Sequence, residues 1–369
     1  MLRLNLILVC VALASTSLQG ESVRLTLPPT IYAASGVVMN VHFANSVLIS
    51  PDRKSPISFR CECPVGKIET NRWTLTANAK QIGTYPFRLT ALNEAGEVIG
   101  KATSKLEVNA GLTKQPIKLF ILGDSLTHAT YYPNEIARLL SAPGNSKWEM
   151  LGTHRPRTAK PGVAHEGYGG WTWNRFRTKF SPERPYPGKT NSSPFVFAGK
   201  DGKPELDVAR YFREHCAGAK PDFITIMLGI NDCFSAKPDT PETIDPRIDL
   251  MFRESELLVS AIREAAPDAI IGICLTTPGN SRDAAFVANY KQRYSRWGWH
   301  RIQHRLVERQ IEHFQDREQE NIHLIPTQLN LDCTDGYPAR NGVHPNEVGY
   351  AQIGASIYSW LMARVNSSH

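Results

Sequence analysis

From Ile117 onward two apolar patterns alternate, and this alternation restricts the fold more than any other feature of the chain. Nearly continuous apolar runs of β-forming residues occur in IKLFILG, WEMLGT, PDFITIMLG, AIIGICLTT and NIHLIPTQ. Helical spacing of apolar residues occurs in PNEIARLLS, LDVARYFREHC, RIDLMFRESELLVSAIREAAP, RWGWHRIQHRLVERQIEHF and EVGYAQIGASIYSWLMARV. Strands apolar on both faces, separated by such helices, predict an α/β fold with a parallel sheet covered on each side. Ligands of such sheets bind in the crevice beyond the carboxyl ends of the strands. The stretch 181–206, rich in Pro, Ser, Lys and Gly, reads as a long surface loop near that crevice.

Residues 21–110 follow a different rule. VRLTLPP, GVVMNVHFANSVLI, ISFRCECPVG, RWTLTA, GTYPFRLTAL and VIGKATSKLEV are short β-rich runs broken by Pro, Gly and Asn. Asn93, Glu94, Ala95 and Gly96 separate two of them as a hairpin turn would. A small all-β sandwich of immunoglobulin-like size is expected there, serving as a stalk or packing module. Residues 111–116 read as a linker, and 117–369 as the second domain.

The first twenty residues, MLRLNLILVCVALASTSLQG, place Arg3 before an apolar run from Leu4 to Ala14 and then small polar residues. That is the layout of a secretory signal peptide, and the run is too short for a stable membrane anchor. The mature chain is therefore expected to be exported, periplasmic or extracellular, with no integral membrane segment after cleavage. Removing Cys10 from the seven cysteines leaves Cys61, Cys63, Cys216, Cys233, Cys274 and Cys333. Six cysteines allow 15 pairings, which sequence does not choose between. Cys61 and Cys63, two apart, share one face of a strand, and their spacing does not suggest zinc.

Lys and Arg number 42 against 35 Asp and Glu, a net charge of +7. They are spread along the chain without a dense basic tract, which argues for a solvated basic surface and against nucleic acid as partner.

The chemistry concentrates where the predicted strands end. IKLFILG runs into GDSLTH, so Gly123 gives a sharp turn and Ser125 faces the crevice. After the second strand comes AHEGYGGWTW, whose Gly169 and Gly170 allow a ligand to approach backbone N–H groups. After the third comes LGINDCF, in which Asn231 can direct its side-chain amide into the crevice. After the fifth comes NGVHPNEVGY, with His344 ahead of Asn346, a natural helix N-cap. A nucleophile candidate, amide donors and a base candidate at neighbouring strand ends fit acyl transfer.

Together GDSL, GGWT, GIND and HP, in this order over residues 117–365, resemble the four blocks of the SGNH, or GDSL-type, serine hydrolases. The resemblance implies a flavodoxin-like three-layer α/β/α sandwich and cofactor-free, metal-independent hydrolysis of carboxylic esters. It also implies a nucleophile at Ser125, a base at His344, and an oxyanion hole from the Ser125 N–H, Gly170 N–H and Asn231 side chain, with Gly169 as the register alternative. The substrate expected by this likeness is a small-molecule or carbohydrate ester with a short acyl group, acetyl first. A chain of this fold that only binds carbohydrate is the competing expectation.

The departure from the resemblance is Asn341. Most family members carry aspartate three residues before the histidine. An amide fixes the imidazole tautomer less strongly than a buried acid, whose replacement by amide in the serine-protease template costs roughly 10⁴ in rate. Three acceptors for the Nδ1 proton stay open: the Asn341 carbonyl oxygen, a nearby backbone carbonyl, or Asp332 or Asp335 from LDCTDGYP. Asp232 is expected to cap a turn or bond backbone. His128, His154 and His165 are expected to be hydrogen-bonding surface residues, and Arg155 and Arg157 solvated charges. Tyr168, Trp171, Trp173, Trp297 and Trp299 are candidates either for stacking on sugar or for packing. PGKTNSS, residues 187–193, lacks the strand and first glycine of a phosphate-binding loop.

Overall fold

The computed structural model describes residues 22–182, 192–237, 240–291 and 293–367. The signal-peptide expectation for residues 1–20 lies outside them, as does most of PGKTNSS.

The N-terminal module forms two sheets. One orders Thr30–Ala34, Val98–Asn109, Gly83–Leu92 and Ser58–Glu62 side by side; the other is antiparallel, from Val38–His42, Arg72–Thr76 and Lys67–Ile68. Period-two alternation turns one side of each strand inward, where Trp73 meets Phe87 edge to face with ring centroids 5.5 Å apart. The Asn93–Gly96 turn joins Gly83–Leu92 to Val98–Asn109 as the hairpin signal requires, with Asn93 N–H donating to the Glu97 carbonyl at 3.0 Å. Cys61 belongs to the packed interior and Cys63 lies against it; all six cysteines of residues 22–367 are free thiols.

The second part is a parallel sheet of β1 (Ile117–Gly123), β2 (Trp148–Leu151), β3 (Phe223–Met227), β4 (Ile270–Cys274) and β5 (Ile322–Ile325). Neighbour pairing gives the order β2-β1-β3-β4-β5, every pair parallel. The pair Glu166–Gly167 extends the β2 edge alongside Leu122 and Gly123. The helices are α1 (Tyr131–Leu140), α2 (Val208–His215), α3 (Ile244–Ala265), α4 (Asp283–Tyr290), α5 (Arg296–Phe314) and α6 (Glu347–Ser367); all but α4 follow the helical runs of the sequence, and α4 lies where no helical run is expected. Alternate strand residues serve different faces. Phe120, Leu122, Ile224 and Ile226 pack with α2, α3 and α5, whereas Leu119, Ile121 and Phe223 pack with α1 and α6. The result is a flavodoxin-like α/β/α sandwich, with the strand order reversing between β1 and β3, where a crevice opens at the carboxyl ends.

One expectation changes. The stretch 181–206 is not all loop: Val196–Ala198 pairs with Pro204–Leu206, and Phe195 is wholly buried against Phe176 and Tyr211. The hydrophobic residues inside a polar segment were the signal for this. The segment 111–116 bonds to the part that follows it. Tyr358 donates to the Gly111 carbonyl at 2.6 Å and the Thr113 N–H donates to Asn145 Oδ1 at 2.9 Å.

The sandwich docks on the parallel-sheet part through polar contacts. Asn40 donates to Asn330 Oδ1 from its backbone N at 2.8 Å and from Nδ2 at 3.0 Å, and Asn45 Nδ2 donates to the carbonyls of Gln328 and Leu331, both at 2.8 Å. Arg364 reaches both oxygens of Glu107 at 3.0 Å. The residues held by Asn40 and Asn45 begin the long connection that leads from β5 to His344.

Candidate active site

At the end of β1 the chain must turn within one residue, and Gly123 permits it. A Cβ there would lie 1.9 Å from Thr127 Oγ1. Asp124 caps the helical turn Ser125–His128, accepting from the Leu126 N–H at 3.0 Å. Ser125 is thereby the first residue of the turn, its side chain on a cavity of about 240 Å³. At the end of β3, Gly229 adopts φ +129°, a conformation that side chains disfavour, and starts the turn Ile230–Cys233 that carries Asn231. His344 comes from the loop before α6, whose start Asn346 caps by accepting from the Gly349 N–H at 3.1 Å.

These residues converge. His344 Nε2 lies 2.9 Å from Ser125 Oγ, within reach for an imidazole to take the hydroxyl proton. Burial lowers the pKa of His344, which keeps the ring neutral and able to accept that proton. Gly170, at φ +74°, lines the same cavity as Ser125, Asn231 and His344, whereas Gly169 does not. Neither the Ser125 nor the Gly170 backbone N–H has a backbone partner among the described residues. Both are available to an oxyanion.

Asn231 is in a different condition. Its Nδ2 donates to Asp124 Oδ2 at 3.2 Å and to the Trp171 carbonyl at 3.1 Å. Both amide hydrogens are in use, so an incoming oxyanion has to compete for one of them. Burial of Asp124 raises its carboxyl to about 7, so near neutral pH its charge, and its hold on Asn231, is partial. Asp232, beside it, takes a backbone bond from Trp173, as expected, and burial raises it to about 8.

Asn341 does not meet the imidazole. Its Oδ1 accepts from the backbone N–H of Val343 at 3.2 Å and of His344 at 3.0 Å, which holds the loop and not the ring. The short side chain closes an Asx-type turn onto its own following residues, a local competitor that spacing alone does not reveal. Asp332 is spent likewise on the N–H groups of Thr334 and Asp335, and its other oxygen lies 4.0 Å from Arg72. Among the described residues no acceptor bonds His344 Nδ1.

The cavity's remaining walls are mainly apolar, including Met227, Leu228, Phe234, Tyr290 and Trp299. Trp299 thus does line the site. Tyr168, Trp171 and Trp173 do not stack on a ligand: they are 6%, 2% and 1% exposed and pack among Phe176 and its neighbours. His128 and His154 stack at 4.9 Å, and His154 and His165 lie 5.0 Å apart. His165 is fully buried and not at the surface as expected; its Nδ1 accepts from the Gly167 N–H at 3.1 Å, which leaves the proton on Nε2, 3.0 Å from Thr130 Oγ1. Arg155 and Arg157 are exposed. Among the described residues no three His, Cys, Asp or Glu side chains are grouped to hold a metal ion.

Sequence reasoning missed two residues that shape this site. Asn280, after β4, and Asn289, on α4, bond the backbone of the His344 loop. Isolated asparagines, whether in a loop or on a helix, carry no distinguishing pattern, and no sequence signal would have found them.

Several solved structures are similar to the chain. The chain is similar to a family 3 carbohydrate esterase of Clostridium thermocellum, at 17% identity over 69% of this chain and 98% of that one, with TM-score 0.44. A family 3 carbohydrate esterase of Talaromyces cellulolyticus gives 19% identity over 69% and 100%, with TM-score 0.43. Est24, a carbohydrate acetylesterase of Sinorhizobium meliloti, gives 13% over 67% and 99%, with TM-score 0.38. No curated protein matches the chain. The sequence model of the GDSL-like Lipase/Acylhydrolase family matches residues 121–352, more than half of the chain, and the protein belongs to that family.

Proposed function

We propose that this protein is an exported serine esterase that removes a short acyl group, acetyl first, from a carbohydrate or other small polar alcohol. The observation that carries the reading is the 2.9 Å contact between Ser125 Oγ and His344 Nε2 at the mouth of one cavity. Residues 21–110 are taken as the sandwich module, 111–116 as the linker and 117–369 as the catalytic domain.

In this reading His344 Nε2 takes the proton as Ser125 Oγ attacks the ester carbonyl carbon. The negative oxygen of the tetrahedral intermediate receives the N–H groups of Ser125 and Gly170 and one N–H released by Asn231. His344 then returns the proton to the departing alcohol, leaving an acyl-serine. A water deprotonated by His344 attacks that ester and restores the enzyme. A cavity of about 240 Å³ with apolar walls supports a short acyl group plus a ring-sized alcohol over a long fatty chain. Export is supported by the leader-like residues 1–20 alone. Among the described residues no helix is long and apolar enough to cross a membrane.

A protein of this fold that only binds carbohydrate is the alternative, and the intact Ser125–His344 pair weighs against it. The test treats purified protein with a fluorophosphonate probe and assays aryl acetate, butyrate and octanoate esters with wild type and Ser125→Ala. Labelling and hydrolysis that vanish in Ser125→Ala, and fall from acetate to octanoate, support the proposal. Hydrolysis that is equal in both proteins sinks it.

A further inference from the structure

Among the described residues the His344 ring has no carboxylate partner, yet the loop that carries it is tied down at successive backbone positions. Asn280, 1% exposed, donates from Nδ2 to the carbonyls of Pro338 at 2.9 Å and Asn341 at 3.0 Å. Its own backbone N–H donates to the Gly342 carbonyl at 2.8 Å. Its Oδ1 accepts from the Arg282 N–H at 3.0 Å, which fixes which end of the amide faces the loop. From the other side Asn289 Oδ1 accepts from the Gly342 N–H at 2.7 Å. Asn341 Oδ1 then closes the last turn onto Val343 and His344.

We propose that Asn280 and Asn289 are positioning residues for His344, fixing the imidazole on Ser125 through the loop backbone in place of a carboxylate on the ring. The inference rests on the esterase reading. The carbonyls of Pro338, Asn341 and Gly342 are taken by Asn280 on β4's exit loop and the Gly342 N–H by Asn289 on α4, while Asn341 holds the N–H groups of Val343 and His344. The remaining freedom of His344 is therefore its own two side-chain torsions. A shift of the reacting atoms by about 1 Å costs on the order of 10²-fold in rate.

The polarity of each contact gives the test its sign. Asn280 acts as donor, so Asn280→Asp loses both loop bonds and sets a carboxylate against two carbonyls. Asn289 acts as acceptor, so Asn289→Asp keeps its bond and Asn289→Ala loses it. Steady-state kinetics on an aryl acetate would show kcat down about 10²-fold in Asn280→Asp and about 10-fold in Asn289→Ala, each with KM near wild type. Asn289→Asp keeps kcat within a factor of about three. Asn289 is exposed on α4, so its pair of variants carries the test if Asn280→Asp does not fold. Fold is checked by thermal midpoint, and only folded protein enters the comparison. Serine-dependent hydrolysis that is unchanged in Asn289→Ala overturns the proposal while leaving the esterase reading intact. Hydrolysis that survives Ser125→Ala overturns the esterase reading, and the proposal with it.

Discussion

Replacing Asn341 by aspartate restores the residue type that the family usually carries, and the geometry says the gain should be small. Asn341 Oδ1 sits on two backbone N–H groups at 3.2 and 3.0 Å, and its own carbonyl is held by Asn280 at 3.0 Å. A carboxylate keeps both acceptor bonds and makes them charge-assisted, adding roughly 1 kcal/mol at most to the turn. It does not thereby reach Nδ1. Where a triad acid does hold the ring, its exchange for an amide costs about 10⁴, or about 5.4 kcal/mol at 1.36 kcal/mol per decade. Were residue 341 the ring's acceptor, Asn341→Asp would recover a large part of that. We expect instead a change in kcat/KM below about tenfold. Asn341→Ala, by contrast, loses the acceptor of two backbone N–H bonds at about 1 kcal/mol each, which should lower both thermal midpoint and kcat. The assay is aryl acetate hydrolysis by both variants at saturating and limiting substrate, with Ser125→Ala subtracted. An acceleration of 100-fold or more in Asn341→Asp would refute the backbone-held histidine.

Further expectations follow from the same geometry. Asn231→Ala should lower kcat about 10²- to 10³-fold with little change in KM, as for an oxyanion donor; equal kcat would remove Asn231 from the reaction. Because burial lowers the pKa of His344, its neutral form persists into acid, and the acid limb of kcat/KM should have its midpoint below 6.5. A midpoint above 7 in a pH–rate profile would contradict this. Gly229→Ala would force a side chain to φ +129° and set its Cβ 3.0 Å from Met251 Sδ, at a cost of about 1–3 kcal/mol in a melting or urea experiment. Stability should fall between about pH 6.5 and 8. Burial raises Asp124 from 3.8 to about 7 and Asp232 to about 8, so the stability from their protonated forms declines above the unfolded value and is gone once pH passes the folded ones. Burial lowers His165 to about 3 and His304 to about 4, so stability is also lost as pH falls below 6.5. A thermal midpoint that rises steadily from pH 6 to 9 would show that other groups dominate.

The parts of the fold that were legible in sequence are those governed by local period. Each apolar run from IKLFILG to NIHLIPTQ is a strand of the parallel sheet, and each helical run is a helix within a few residues. Burial on both faces makes such strands conspicuous, and the Asn93–Gly96 turn announces its hairpin by chain chemistry alone. The hairpin at Val196–Leu206 was hidden because its strands are three residues long and lie in polar surroundings. For the site, Ser125, Gly170, Asn231 and His344 were legible because a parallel sheet brings its strand ends together wherever they lie in the chain.

Sequence by itself determined the sheet, its layers and the four strand ends that line the crevice, since period and turn residues act over a few positions. Tertiary structure alone decided how His344 is held. Asn341 could serve either the ring or the backbone, and the choice fell to which N–H groups the turn leaves unpaired. The partners of that loop, Asn280 and Asn289, lie more than fifty residues away in the chain. Hydrogen bonds between such distant residues depend on where whole elements dock, and no local pattern encodes them.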